Sequence, residues 1–302
     1  MTIQKVVLTG ASGDLGSAIL DSLVKDGSFE VTVLQRASSR SKINHAEKVK
    51  TLTFDGAFRV DELIRLLKGQ HAVITAFRPS DVDQQLRLAE AAAEAGVKRF
   101  IPADFGSCDS GSQRAQDLVP LFKRKTLVRE RLQALAESHS EFTWTSLVCG
   151  HFFDWGLREN FLHFNVSERK ADILDDGSTK SSQSTLERVA LATVRVLQRE
   201  STSRNRVMFI QSFCVSQIEV LEALEKVTGP KWNANHVGSA QFIDENKRKA
   251  DQGDKDAVED LVFALGAIDG DWRTRDGFAM KELGLEDEDL ETVVRAAISS
   301  SS

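Results

Sequence analysis

The chain has 302 residues, of which 41% are hydrophobic and 28% charged, and its formal net charge is −6. That balance is typical of a globular protein with enough apolar residues to fill a core. The mild acidity argues against a protein that binds nucleic acids or anionic membrane surfaces, because both classes usually carry basic faces. No stretch approaches the roughly 20 apolar residues of a membrane span.

The three cysteines are too few and too widely spaced to form a disulfide framework or a zinc site: Cys108, Cys149 and Cys214. The six histidines form no i, i+4 pair, so we expect no metal. No basic segment precedes an apolar signal-peptide core at the start of the sequence. We therefore expect a cytoplasmic protein. The sequence carries no signal for its oligomeric state.

Short β-branched runs alternate with amphipathic segments through the first half of the chain. The runs predict strands over residues 4–9, 29–34, 50–54, 72–77, 99–102 and 142–148. Helical spacing of apolar residues predicts helices over 18–24, 60–67, 85–95 and 118–138. This alternation predicts an α/β fold, a doubly wound parallel sheet of the Rossmann type, over residues 1–150.

After residue 150 the alternation fades. The pattern predicts a helix over 186–197 and allows a strand over 207–210, and from residue 218 onward the chain is mostly helical and strongly charged. We interpret residues 151–302 as a smaller, mostly helical substrate-binding lobe, from which segments could return to the main sheet.

A glycine-rich loop, Gly10 to Gly16 (GASGDLG), follows the first strand and opens the first helix. In dinucleotide-binding folds, glycines at such positions allow a tight turn, a close approach to the pyrophosphate and close packing of the helix on the sheet. A plain glycine-rich connection is the alternative. The order of strand, loop and helix favours a cofactor site formed by these residues: Gly10, Ser12, Gly13, Asp14, Leu15 and Gly16.

The end of the second strand distinguishes between the two nicotinamide cofactors. A carboxylate there usually binds the ribose hydroxyl of NAD, whereas an arginine accommodates the 2′-phosphate of NADP. The segment reads LQRASSRSK and contains no carboxylate, and Arg36 stands where the phosphate would lie, with Arg40 and Lys42 close behind. A solvated basic loop is the alternative. NADPH/NADP⁺ is therefore the predicted cofactor.

The chain has no tyrosine, which excludes the Tyr-x-x-x-Lys pair used by common reductases of this size. Three segments are more specific: TGASGDLG at 9–16, GVKRFIPADFG at 96–106 and FKRKTLVR at 122–129. Together with HFFDW at 151–155 and GSTKSSQSTL at 177–186, they resemble the isoflavone-reductase-like and NmrA-like family of atypical short-chain dehydrogenases. The likeness extends from residue 1 to about 200. It implies a Rossmann domain with a smaller C-terminal lobe, and NADPH-dependent reduction of aromatic secondary metabolites.

The resemblance also implies a catalytic residue. Phe122, Lys125 and Arg129 match the family pattern FxxKxxxR, in which the lysine exchanges a proton with a substrate oxygen while NADPH delivers hydride. A partly desolvated lysine near other cations has a lowered pKa, which suits this task. The alternative is a solvated basic helix face formed by Lys123, Arg124 and Lys125.

Two further segments follow predicted strands and so lie where ligands of α/β sheets bind. The segment from Pro102 to Gly106 reads PADFG where the family has Pro-Ser-Glu-Phe-Gly, so Ala103 cannot donate the hydrogen bond of a serine. A structural turn and a cofactor contact both fit that segment. By position alone, Phe77 and Arg78 would lie near the ribose and nicotinamide.

On the substrate side, the aromatic run after the sixth strand is suited to a flat phenolic ligand. The candidates are Phe105, His151, Phe153 and Trp155, and His151 is also a second choice as proton donor. A plain hydrophobic junction is the alternative. The leading hypothesis is an NADPH-dependent reductase of an aromatic or polyketide-like secondary metabolite. A non-catalytic NAD(P)-sensing regulator that binds a protein partner is the alternative, and an isomerase or lyase on the same scaffold also fits the fold.

Overall fold

The computed structural model describes residues 2–77 and 81–299. The strands of these residues are β1 (Lys5–Thr9), β2 (Glu30–Arg36), β3 (Lys50–Phe54), β4 (Ala72–Thr75), β5 (Arg99–Ile101), β6 (Thr143–Val148), β7 (His151–Phe152), β8 (Phe164–Asn165), β9 (Lys170–Leu174), β10 (Lys180–Ser184), β11 (Arg206–Phe209), β12 (Phe213–Ser216) and β13 (Asn233–Val237).

The helices of the same residues are α1 (Asp14–Asp26), α2 (Val60–Leu67), α3 (Val82–Glu94), α4 (Gln113–Leu118), α5 (Pro120–Ser138), α6 (Phe153–Arg158), α7 (Leu186–Gln198), α8 (Glu200–Ser203), α9 (Gln217–Thr228), α10 (Ser239–Asp251), α11 (Lys255–Ile268), α12 (Met280–Leu283) and α13 (Leu290–Ser299). Within the described ranges, no helix is both long and apolar enough to cross a membrane.

A seven-stranded sheet forms the centre, in the order β3-β2-β1-β4-β5-β6-β11. Every neighbouring pair in this sheet is parallel. The strand order reverses between β1 and β4, so the crevice of a doubly wound sheet opens at their carboxyl ends. The predicted Rossmann fold is confirmed.

Alternating side chains of β1 explain why helices cover both faces of this sheet. Val6 and Leu8 point into one core with Ile19 of α1 and residues of α7, whereas Val7 points into the opposite core with Leu88 of α3. All three β1 side chains are at most 1% exposed. A strand buried on both faces requires the continuous apolar run that the sequence shows.

The helix predicted over residues 118–138 is two helices, α4 and α5. Val119 lies between them in an extended conformation, with φ −132° and ψ 111°. Pro120 is the first residue of α5, a position where its missing N–H costs no helical hydrogen bond and where it favours an extended preceding residue. The fourth strand is also shorter than predicted, since it ends at Thr75.

Segments beyond residue 150 return to the main sheet. The strand allowed by the sequence over 207–210 is β11, which pairs with β6 at the sheet edge. Helix α7 packs along α1 and contributes Val189 and Val196 to the same core. The rest of this half contains two three-stranded sheets, β12-β10-β7 and β13-β9-β8, besides its helices.

Candidate active site

The glycine loop closes tightly against the end of the neighbouring strand β4. Gly10 has φ +80°, a conformation that favours glycine. A Cβ atom at this position would lie 2.6 Å from the carbonyl carbon of Ala76 and 2.7 Å from the backbone nitrogen of Phe77. Only glycine therefore fits the crossing between β1 and the end of β4.

The start of α1 is left open toward the crevice. Gly13 is its N-cap, makes no side-chain capping bond and donates its own N–H to the Gly10 carbonyl at 3.1 Å. Asp14 and Leu15 begin the helix, whose first-turn amides can accept an anionic ligand. Ser12 and Asp14 are exposed beside them.

Gly16 packs differently from the prediction. A Cβ on Gly16 would lie 1.9 Å from the carbonyl oxygen of Gly10 and 3.1 Å from the Cα of Ala11. The missing side chain thus lets the first helical turn rest on the loop itself, rather than on the sheet. The loop conformation and the helix start depend on each other.

The basic residues predicted to bind the 2′-phosphate lie at and after the end of β2. Arg36 is exposed, and its aliphatic stem lies against Gly56. Arg40 and Lys42 are also exposed, and none of the three forms an ion pair with a residue that the structure describes. Unpaired cations beside an open helix start fit a dinucleotide phosphate. Arg78 lies outside the described residues.

Phe77 lies on the other side of the glycine loop. Its ring is 5.7 Å from that of Phe58, and it packs against the core that also holds Leu88. Its side chain is half-buried. Its predicted place near the ribose and nicotinamide of a cofactor stays a prediction.

Lys125 projects from α5 to the carboxyl end of β5. Its Nζ donates a hydrogen bond to the backbone carbonyl of Asp104 and lies 5.8 Å from the centre of the Phe122 ring. Lys123 and Arg124 are exposed, whereas Lys125 is half-buried. Burial holds the pKa of Lys125 below its ordinary value, although the carboxylate of Asp104 opposes the shift. Lys125 therefore does not belong to the solvated face formed by its neighbours.

Asp104 is held by two side chains from other elements. Its Oδ2 accepts hydrogen bonds from Arg129 Nε at 2.5 Å and from the Ser146 hydroxyl, and its side chain is 2% exposed. Arg129 also donates to Asp109 Oδ1 at 2.8 Å. Burial raises the pKa of Asp109, but hydrogen bonds from Arg129 and from the Gly111 N–H outweigh it and lower the pKa. The 102–106 segment thus forms a bonded turn, and the carboxylate of Asp104 points toward Arg129 and Ser146.

Two cysteines complete the surroundings of Lys125. Cys108 is 2% exposed and Cys149 fully buried, and burial raises the pKa of each thiol to about 12 even though Lys125 favours the thiolate. Both thiols are therefore neutral at physiological pH. Phe105, between Asp104 and Gly106, has φ +31°, which is strained for a bulky residue, and its side chain is buried.

The comparisons with known proteins agree with this geometry. The model of the NmrA-like family matches residues 2–250. The chain belongs to the NmrA-like family. It is 36% identical over 250 residues to oxidoreductase aprR of Aspergillus flavus, covering 83% of this chain and 81% of aprR.

Solved structures place the same fold over almost the whole NmrA-like chain. Isoflavone reductase superposes with a TM-score of 0.78 at 20% identity, covering 99% of this chain and 100% of that protein. AtPrR2 bound to NADP⁺ and (+)-pinoresinol superposes with a TM-score of 0.75 at 19% identity, covering 98% and 99%. At these identities the likeness concerns the fold.

The residues predicted to line a substrate pocket separate into buried and accessible ones in this NmrA-like protein. Phe153 is fully buried and packs edge-on against Phe213 at 4.9 Å, so it is a core residue rather than a pocket wall. Trp155 is half-buried and packs against Phe161 at 5.5 Å. Phe105 is only 8% exposed. Of these three aromatic rings, that of Trp155 is the most accessible.

His151 does not suit proton donation. Its ring is 2% exposed, stacks on Phe263 at 5.9 Å and leaves no space for a Cβ on Gly266, which would lie 2.2 Å from Nε2. Burial lowers its pKa to about 4, so the imidazole is neutral near pH 7. A neutral, enclosed imidazole is a packing residue, which corrects the second choice of proton donor.

Sequence reasoning missed Ser146 and Asp109. Ser146 is an inward-facing residue of β6, and Asp109 lies in the loop after β5. The one signal that could have indicated them is the parallel pairing of β5 with β6, because it brings the carboxyl ends of these two strands together. Nothing in the local sequence of either residue indicates a contact with the lysine helix.

Proposed function

We propose that this NmrA-like oxidoreductase uses NADPH to reduce an aromatic or polyketide-like secondary metabolite, with Lys125 as the proton-transfer group. The observation that carries the proposal is the Lys125 amine. It is half-buried, its pKa is lowered, and it lies at the carboxyl edge of the same sheet that presents the glycine loop. The oxidoreductase aprR and the pinoresinol-bound AtPrR2 support the reaction class.

The cofactor would be held from both sides of the strand-order reversal. The first-turn amides of α1, with Gly10 and Gly13 below them, would bind the pyrophosphate, and Arg36 would bind the 2′-phosphate. The nearby Arg40 and Lys42 would add positive charge at the same end. Bound NADPH supplies the hydride for the reduction.

Lys125 would act at the other end of the crevice. Strands β1 and β5 are separated only by β4, so their carboxyl ends are about 10 Å apart at ordinary strand spacing. The amine can give a proton to a substrate oxygen or take one from it, because its lowered pKa brings both protonation states closer to neutral pH. Trp155 and Phe105 are the proposed aromatic contacts of the substrate.

The regulator hypothesis has less support. A partner-binding regulator would be expected to expose apolar surface on its C-terminal helices. Within the described ranges the exposed large hydrophobic side chain is Leu127, which lies on α5 and is 43% exposed. A sensor also has no need for a half-buried amine beside the crevice, so the enzyme is the better fit.

The test compares three proteins: the wild type, Lys125→Met and Lys123→Met. Lys123 is the exposed neighbour of Lys125 on the same helix and serves as the control. NADPH, NADP⁺, NADH and NAD⁺ are titrated calorimetrically into each protein, and turnover is measured as NADPH oxidation with a panel of aromatic enones and phenols. We expect NADPH to bind all three proteins equally, and turnover to fall at least 100-fold in Lys125→Met alone.

Three results would contradict the proposal. Full turnover by Lys125→Met would remove the assigned proton-transfer group. Failure of all four nucleotides to bind the wild-type protein would overturn the cofactor site, and preference for the oxidised forms without any turnover would favour the regulator.

A further inference from the structure

We propose that Asp104, clamped by Arg129 and Ser146, is a positioning residue that holds the Lys125 amine at the reacting edge of the sheet. This inference rests on the proposed role of Lys125 in proton transfer. It adds residues that would act through the lysine rather than on the reacting atoms.

The geometry ties residue 104 to one helix at two points. Its backbone carbonyl accepts the hydrogen bond from Lys125 Nζ, and its carboxylate accepts from Arg129 Nε at 2.5 Å. Lys125 and Arg129 are one turn apart on α5, so both contacts lie on the same helix face. A rotation of the Asp104 backbone would therefore break both bonds, which fixes the direction of the amine.

Ser146 holds the same carboxylate from the neighbouring strand. Its hydroxyl donates to Asp104 Oδ2, which joins β6 to the turn after β5. The other oxygen, Oδ1, is buried and has no hydrogen-bond partner among the residues that the structure describes. A Cβ on Gly106 would lie 3.7 Å from this Oδ1 and 3.7 Å from Lys125 Nζ. The carboxylate oxygen and the amine therefore both lie next to Gly106.

The charged groups that face Lys125 shift its pKa in opposite directions. The carboxylate of Asp104 raises the pKa of the lysine, whereas burial and the guanidinium of Arg129 lower it. Cys108 and Cys149 also face the amine, from the loop after β5 and from the end of β6, but their raised pKa values keep both thiols neutral. Burial is the largest of these influences, and the Asp104–Arg129 pair adjusts the pKa of Lys125 as well as the direction of its amine.

The test measures the titration of Lys125 without using turnover. Wild-type and variant proteins are labelled with limiting acetic anhydride between pH 6 and 11, and modification of Lys125 is quantified by mass spectrometry. Asp104→Asn keeps the shape of the side chain and removes its charge. The titration midpoint of Lys125, the pH at which half of its amine is deprotonated, is therefore expected to move to lower pH by about one unit. Arg129→Gln should move it to higher pH, because the substitution removes a positive charge that lowers the pKa of Lys125.

The matched control is Glu288→Gln. Glu288 Oε2 also accepts from an arginine Nε, that of Arg188 at 3.2 Å, and from a serine hydroxyl, that of Ser212, but it lies in another cluster. The control should lose similar hydrogen bonds without moving the Lys125 midpoint. A merely structural role for Asp104 would likewise leave the midpoint in place.

The outcomes separate this proposal from the proposed function. An unchanged Lys125 midpoint in both Asp104→Asn and Arg129→Gln would overturn the positioning role, whatever the enzyme catalyses. If Asp104→Asn fails to fold, the opposite shift in Arg129→Gln decides the question. Shifted midpoints together with full turnover by Lys125→Met would keep the positioning role and overturn only the catalytic one.

Discussion

The first turn of α1 rests on the glycine loop so closely that a Cβ on Gly16 would lie 1.9 Å from the carbonyl oxygen of Gly10. Gly10 in turn leaves no space for a Cβ against the end of β4. The strand, the loop and the helix start are therefore packed backbone to backbone. This contact sets the direction of the free amides at the start of α1.

We predict that Gly16→Ala destabilises the protein, although alanine is normally the better helix residue by about 1 kcal/mol. Backbone atoms that cannot move aside should make the cost about 1–3 kcal/mol and weaken NADPH binding at least tenfold. Gly13→Ala is the matched control for stability, since its Cβ would meet only the Gly10 oxygen at 3.6 Å with φ −83°. Because alanine is a poorer N-cap than glycine, Gly13→Ala should lose some stability, and urea unfolding should show a larger loss for Gly16→Ala. An equal loss in both variants would contradict the packing.

Arg36→Gln is predicted to reduce the preference for NADPH over NADH. A charged hydrogen bond to the 2′-phosphate contributes about 1.5–3 kcal/mol, so the affinity for NADPH should fall roughly 10- to 100-fold, while that for NADH stays the same. Arg65→Gln, on the exposed face of α2 and paired with Asp61, serves as the control. Unchanged NADPH affinity, measured calorimetrically, would transfer the role to Arg40 and Lys42.

The part of the site that could be predicted from the sequence is local. Gly10, Gly13 and Gly16 lie within seven residues, and the turn that they allow depends on backbone conformation rather than on distant contacts. The surroundings of Lys125 could not be predicted in this way. Its partner Asp104 is 21 positions away and Ser146 is 42 positions from Asp104, so both contacts depend on the register of β5 and β6.

The fold shows the same contrast between local features, which the sequence predicts, and long-range contacts, which it does not. Continuous apolar runs identified the buried strands of the main sheet, whereas β10 (KSSQS) is a buried strand without a single apolar side chain. Ser182, at its centre, is fully buried and donates a hydrogen bond to Gln211 Oε1 at 2.8 Å. A strand whose polar groups are satisfied by tertiary partners has no hydrophobic period, so sequence patterns predicted too little sheet after residue 150.

The buried His151 predicts a pH dependence of stability. Its pKa of about 4 in the folded protein lies below the ordinary 6.5, so the unfolded chain binds the proton more strongly. The contribution of the buried, neutral imidazole to stability is present above pH 6.5 and is lost as the pH falls toward 4. The free energy of unfolding should fall by about 2 kcal/mol between pH 7 and pH 5. His151→Phe should flatten the profile in urea unfolding. The same slope in the wild-type protein and in His151→Phe would contradict this assignment.

Phe153→Ala and Trp155→Ala are predicted to separate packing from substrate binding. Phe153 is fully buried against Phe213, so its truncation should cost about 3–5 kcal/mol of unfolding free energy. Trp155 is half-buried, so its removal should cost less stability but raise the KM for an aromatic substrate several-fold, with NADPH affinity unchanged. Trp155→Phe, which keeps an aromatic face, should recover most of the KM. A KM that does not respond to Trp155→Ala would exclude this ring from the substrate site and leave Phe105 as the remaining aromatic candidate.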